Sequence, residues 1–391
     1  MISDRVRIII VHICLFLAFF LPIYSWSQYL LALIPLILYI SVSDKKIYKG
    51  WNYIAIVCLC LSLLFNGFWL IPDYFKSIIK TVNLCILFAL FPYFKNNGIY
   101  IRTNFVVMMI CLVLFTQFVW ILGITPLIQL FDTIYPPTIS YGKAGVNFTL
   151  NIGGRYGGIF HNPNDCARNI IILSSIYLVM NNRNKRTDII TLLIVTLSVY
   201  LTGSRTGVIM LLTTFFIYIC NMEGISISKK INIISIVVIM ALLFYIFILG
   251  DNTRLKTLEF NPTKSERMYW LLEAINNIMQ NPFSALFGRL YQERMSFWKI
   301  GFAGGFDSDI GNIIYSYGFS FIFTLLIFLY SQYKRIGCRF FYCIPPHIVM
   351  AGTGLFTSFY SSIMIFFLYA ICFIESERII ELSKLRNTST N

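Results

Sequence analysis

The chain has 391 residues, of which 58% are hydrophobic and 17% aromatic, with a mean hydropathy of +0.74 and only 12% charged. A soluble domain carries about 25% charged residues, so this composition excludes an ordinary soluble fold and points to an all-α, polytopic integral membrane protein. The net charge of +14 is explained by where Lys and Arg fall along a membrane topology, and it calls for no nucleic acid as partner.

Arg5 and Arg7 ahead of the first apolar run resemble a signal sequence, but no small-residue cleavage site follows, so the run is read as an uncleaved first span. Runs of the kind that cross a bilayer, about 20 residues each, recur near 7–24, 28–43, 52–71, 77–94, 104–124, 164–181, 188–202, 206–222, 231–249, 311–331, 340–356 and 358–374. Twelve spans put both termini on one side. Alternate segments carry the basic residues: Arg5 and Arg7; Lys45, Lys46 and Lys49; Lys95 and Arg102; Arg183, Lys185 and Arg186; Lys229 and Lys230; Lys334, Arg335 and Arg339; Arg378, Lys384 and Arg386. These are 18 of the 31 Lys and Arg. The positive-inside rule makes their face, and both termini, cytoplasmic.

The opposite face has short hairpins near Ser25 and Ser358 and two large extracytoplasmic loops near 125–163 and 250–310. No internal repeat, low-complexity tract or soluble domain boundary appears, so residues 1–391 are read as a single membrane domain. Within the second loop, Met268, Leu271, Leu272, Ile275 and Met279 recur at helical spacing and predict a helix lying on the membrane interface or on the spans. Most of the 10 cysteines lie in or beside apolar runs, where they act as small hydrophobes. No C-x-x-C pair or Cys/His cluster has zinc spacing. No metal and no cofactor is expected.

Four stretches carry polar chemistry. In Asn151–Arg168, NIGGRYGGIFHNPNDCAR, Asn162 suits the N-cap and Pro163 the first turn of the span that follows. Arg155, His161 and Asn164 surround that helix N-terminus, a place to hold a phosphate; a capped helix with a Gly-rich lead-in is the plainer reading. Leu201–Gly207, LTGSRTG, is a tight turn that sets Arg205 at the outer face, either as a functional cation or as an arginine reaching headgroup phosphates. Pro262–Trp270, PTKSERMYW, brings Arg267, whose alternative is a solvated loop charge. Gly304–Gly318 sets Asp307 and Asp309 before the next span, as catalytic carboxylates or as helix caps. Two acids without further ligands are too few for a metal ion. His12 and His347 fall within spans and are read as packed or hydrogen-bonded.

R-x-G-G-x-F-x-N-P-N at Arg155–Asn164, G-S-R at Gly203–Arg205 and D-S-x(9)-G at Asp307–Gly318, in this order, resemble the O-antigen polymerase and O-antigen ligase superfamily. The resemblance covers Gly153 to about Leu329; the first five spans match only as hydrophobic segments. It implies glycosyl transfer outside the bacterial cytoplasmic (inner) membrane, on oligosaccharides carried by undecaprenyl diphosphate among membrane lipids. A flippase and a chain-length regulator of the same pathway are the expected partners. By the resemblance, Arg155, Arg205 and Arg267 bind the diphosphate with Asn162 and Asn164 beside them, and Asp307 is the base, with His161 and Asp309 as further candidates. Ligases of the superfamily typically carry histidine where Asp307 stands, which favours the polymerase. A ligase joining polymer to lipid A core and a precursor flippase or transporter are the rivals. Transporters usually show repeats and polar groups at the bilayer midplane, whereas here the charged motifs gather at one face.

Overall fold

A computed structural model of the chain describes residues 4–21, 27–43, 51–66, 74–96, 101–135, 155–160, 163–180, 184–222, 224–244, 272, 275–289, 309–348, 363–372 and 374–375. Among these the regular structure is all helical, as the apolar runs predict. In chain order the helices are α1 (Asp4–Phe20), α2 (Ser27–Val42), α3 (Trp51–Asn66), α4 (Tyr74–Asn96), α5 (Thr103–Ile121), α6 (Thr125–Ile134), α7 (Pro163–Val179), α8 (Lys185–Thr202), α9 (Arg205–Cys220) and α10 (Ile227–Phe244). They continue as α11 (Pro282–Phe287), α12 (Asp309–Ile336), α13 (Pro345–Ile348) and α14 (Ile363–Cys372). Thr103–Ile121 and Ile313–Lys334 are long and apolar enough to cross a membrane. Leu31–Val42, Tyr53–Phe65, Ile78–Phe91, Thr206–Cys220 and Ile363–Cys372 are shorter apolar helices.

The helices pack in two groups around one large apolar core, with a second small cluster at Ile278, Ile314 and Tyr315. In the first, α1 lies on α2, α2 and α3 on α4, and α12 on α3. Phe88 and Phe91 of α4 meet Phe328 of α12 edge-on, with centroids 5.6 and 5.2 Å apart. In the second group α7 is the axis, packed by α5, α8, α9 and α13. Every residue of α7 from Asp165 to Val179 is buried, polar ones included. Its far end is held by side chains: Tyr177 donates to Asp188 Oδ1 at 2.8 Å, Tyr218 to Asp188 Oδ2 at 3.2 Å, and Arg339 to the Val179 carbonyl at 3.4 Å. A buried carboxylate is tolerable only when it is bonded in this way. Phe20 of α1 against Phe160, and the His12 ring against Phe105, connect the two groups.

Both histidines assigned to spans are hydrogen-bonded. His12 Nδ1 pairs with the Ile8 carbonyl at 2.7 Å and its Nε2 accepts from the Arg102 amide at 3.1 Å. His347 pairs with the Tyr369 hydroxyl at 2.7 Å.

Three features depart from the sequence expectations. First, the run at 340–356 does not begin as a span. Gly337, at φ 70°, ends α12, a 3₁₀ turn follows over Gly337–Cys343, and Pro345–Ile348 forms a four-residue helix. Pro345 and Pro346 bring no N–H, so a helix can start at them but not run through from the preceding turns. The remainder of that run, 349–356, lies outside the described residues.

Second, the start of the long loop after α5 is helical. α6 exposes polar Thr125, Gln129 and Thr133 on one side and apolar Leu130 and Ile134 on another, while Phe131 and Tyr135 pack on the core. The Tyr135 hydroxyl donates to the Phe20 carbonyl. Burial pushes that phenol up to about 12 and raises the Asp132 carboxyl above its usual range.

Third, α12 is broken. Gly318 has φ 72° and ψ −176°, which interrupts the helical ladder. The Arg289 amide takes up the Tyr315 carbonyl at 2.7 Å, and Ser62 donates to the Ser316 carbonyl at 3.2 Å. Ser320 returns a bond to the Leu286 carbonyl at 2.6 Å. A Cβ on Gly318 would strike the Leu286 carbonyl, and one on Gly288 would strike the Ser316–Tyr317 peptide, so each backbone needs glycine opposite it. The predicted helix at 265–279 is described at Leu272 and at 275–279, which are helical; Ile278 packs beneath Ile314 and Tyr315, and Met268 and Leu271 lie outside the described residues.

Candidate functional site

The site is built at the turn between α8 and α9. α8 ends on Gly203, which adopts the left-handed conformation and returns its N–H to the Tyr200 carbonyl. Ser204 has extended backbone, and its Oγ accepts the Gly207 N–H at 3.1 Å, so it is the N-cap of α9. Thr-Gly-Ser is therefore a C-cap and an N-cap written back to back, and Arg205 is the first residue of α9. The Gly207 backbone lies so near α7 that a Cβ there would stand 2.7 Å from Ala167 Cβ. The N-termini of α7 and α9 consequently meet.

Residues 155–160 lie across this junction. The Tyr156 N–H donates to the Leu201 carbonyl at 2.7 Å, and Arg155 Nε donates to the Thr202 carbonyl at 3.2 Å. The same guanidinium donates through Nη2 to Asn164 Oδ1 at 3.2 Å, and Ser204 Oγ donates to that oxygen at 2.8 Å. One amide oxygen in the first turn of α7 thus gathers the arginine of the loop and the cap of α9. Gly158, at φ 60°, lies against the Thr116 hydroxyl of α5, where any side chain would collide.

Beneath the junction are two polar groups inside apolar helices. Gln117 of α5 is fully buried; its Nε2 donates to the Tyr156 carbonyl at 2.8 Å and to the Ser198 carbonyl at 3.0 Å, and its Oε1 accepts from Ser198 Oγ at 2.6 Å. Asp165 and Arg168 of α7 form an ion pair at 3.1 Å, with side chains only 10% and 9% exposed.

The chemistry open to this arrangement is anion binding. A half-buried guanidinium is aligned by two bonds, two helix N-termini converge beside it, and both bring partial positive charge and main-chain N–H groups. Arg155 and Asn164, singled out in the sequence, are brought together. Arg205 and Asp309 begin α9 and α12, but their side chains lie outside the described residues, as do His161, Asn162, Arg267 and Asp307 in full.

Asn164 acts here as the shared acceptor for Arg155 and Ser204. Sequence reasoning missed Gln117, Ser204 as cap, and the Asp165–Arg168 pair. A lone amide inside the run FVVMMICLVLFTQFVWI was the available signal, because a polar side chain in such a helix needs a partner. The chain matches no family model and no curated protein sequence.

Proposed function

We infer that the chain is a polytopic membrane glycosyltransferase that polymerises undecaprenyl-diphosphate-linked oligosaccharide repeat units outside the cytoplasmic membrane. The supporting observation is the alignment of Arg155 by Thr202 and Asn164 at the point where the N-termini of α7 and α9 meet. It is an anion-binding arrangement at the end of apolar helices, on the face that the charge distribution makes extracytoplasmic. In the reaction an acceptor sugar hydroxyl attacks the anomeric carbon, the bond from that carbon to the phosphate oxygen breaks, and the lipid diphosphate leaves as an anion. Such a leaving group needs charge stabilisation more than a proton, and preorganised arginine and N–H donors supply it. By the family resemblance, Arg205 and Arg267 add to this charge, and Asp307, just ahead of α12, takes the hydroxyl proton.

Deletion of the gene tests the reading. Cells without the polymerase should attach one repeat unit to their lipid core and show a single short band in place of a ladder. A bare core, with finished polymer left on its lipid carrier, would make the chain a ligase instead. Topology has its own test, in a cysteine-depleted chain in intact spheroplasts. Cysteines placed at Lys143 and Lys264 should react with an impermeant thiol reagent, and those at Lys185 and Lys334 should not; the reverse pattern would put Arg155 inside the cell.

A further inference from the structure

We propose that Gln117 is a positioning residue for Arg155, fixing the guanidinium at the anion site through the carbonyl of the next residue, Tyr156. The inference rests on the reading of Arg155 as a diphosphate holder. Gln117 is fully buried in a helix apolar enough to cross a membrane, where an amide is costly unless every polar atom is bonded. Its bonds are specific in direction. Nε2 faces two main-chain carbonyls, Tyr156 at 2.8 Å and Ser198 at 3.0 Å, and Oε1 faces the Ser198 hydroxyl at 2.6 Å. Turning the amide over would set its oxygen against both carbonyls, so only one orientation is compatible with the site.

The partners all belong to the elements that carry the site. Tyr156 follows Arg155; Ser198 lies one turn before Thr202, whose carbonyl takes Arg155 Nε; Cys166, 3.5 Å from Nε2, lies two residues after Asn164. The Arg155–Tyr156 segment is therefore pinned from both sides. Gln117 holds the Tyr156 carbonyl, and the Leu201 carbonyl holds the Tyr156 N–H at 2.7 Å. Removing the Gln117 amide frees one side of that pin and leaves the Tyr156 carbonyl short of a donor, whereas the Ser198 carbonyl stays in the α8 ladder, so the Arg155 backbone loses its fixed height relative to Thr202 and Asn164.

The test uses the full-length protein purified in detergent, with inorganic pyrophosphate as probe and titration calorimetry as readout. Wild type should bind, and Arg155→Ala should bind weakly. Gln117→Met, similar in volume and without donors, should weaken the dissociation constant roughly tenfold at full stoichiometry. Gln117→Glu, protonated in these surroundings, keeps one donor and an acceptor for Ser198 and should recover part of that loss. If Gln117→Met lowers the melting temperature or the stoichiometry but leaves the dissociation constant unchanged, Gln117 is only a packing residue and the proposal fails. If that variant does not fold, Ser198→Ala decides: a roughly threefold weakening supports the proposal, and unchanged affinity overturns it. A wild type that does not bind, or an Arg155→Ala that binds as well as wild type, removes the diphosphate reading and this inference with it.

Discussion

The α8–α9 turn and the break in α12 both set a glycine at positive φ where a helix stops, yet they are closed by different means. At Gly203 the closure is by side chains: Ser204 caps α9, Arg155 takes the Thr202 carbonyl, and Asn164 holds both. At Gly318 it is largely by main chain: the Arg289 amide meets the Tyr315 carbonyl, and Gly288 and Gly318 let two backbones approach where no Cβ would fit. Ser62 and Ser320 add one hydroxyl bond each. Polar substitutions should therefore damage the first region, and glycine substitutions the second.

The largest effect is expected below the α8–α9 junction. Arg168→Ala would leave the Asp165 carboxylate buried without its ion-pair partner, a loss of about 3–5 kcal/mol measurable by thermal unfolding in detergent. Asp165→Asn combined with Arg168→Met should restore most of that stability; a double variant as unstable as the single one would show that the pair is not the reason. Next comes Gly318→Ala, costing about 1–3 kcal/mol in backbone strain before the collision with the rigid Leu286 carbonyl is added. Gly203→Ala also carries left-handed backbone strain, but the atoms nearest its Cβ belong to the Arg155 side chain, with Cγ 3.1 Å away, and that side chain can shift. Gly203→Ala should thus unfold the protein less than Gly318→Ala and disturb pyrophosphate binding more. The opposite ranking would break the comparison.

Smaller again is Ser204→Ala, at about 1 kcal/mol for a lost N-cap. Because Ser204 also bonds Asn164, its loss should register in pyrophosphate affinity beyond that cost. Last is Ser62→Ala, comparable to Ser204→Ala in unfolding at about 0.5–1.5 kcal/mol but with no change in affinity. An affinity change there would mean that the two regions are coupled.

How far these regions could be read from the sequence follows from the same contrast. Leu201–Gly207 is legible as a turn because its information is local, a glycine-containing polar stretch joining two apolar runs, whereas the cap that Ser204 forms on α9 is seen only in the structure. Pro163 likewise announces the start of α7, and Arg155 and Asn164 stand close enough in the chain to be read as one cluster. Their division of labour was not legible, since the bond from Asn164 to Ser204 joins positions distant in sequence. The break at Gly318 was hidden for a related reason. Gly318 closes a motif inside an apolar run, and the need for it arises only when residues 286–289 lie against it. α6 is not legible within the loop sequence, because ten residues give too short a pattern to outweigh the irregular sequence around them.

α6 also serves as a draught mark. A short helix with one polar side, one exposed apolar side and one side on the protein is at rest only where water, lipid and protein meet. Under the membrane reading, that line fixes how deep the chain floats. Gln117 lies five residues before Leu122, the residue that closes α5 just ahead of α6, or about 7–8 Å along the helix axis. Arg155, one residue from the carbonyl that Gln117 holds, therefore stays within about two helical turns of that line. On the proposed function, a lipid carrier would present its diphosphate near that line with its isoprenoid chain still among the acyl tails.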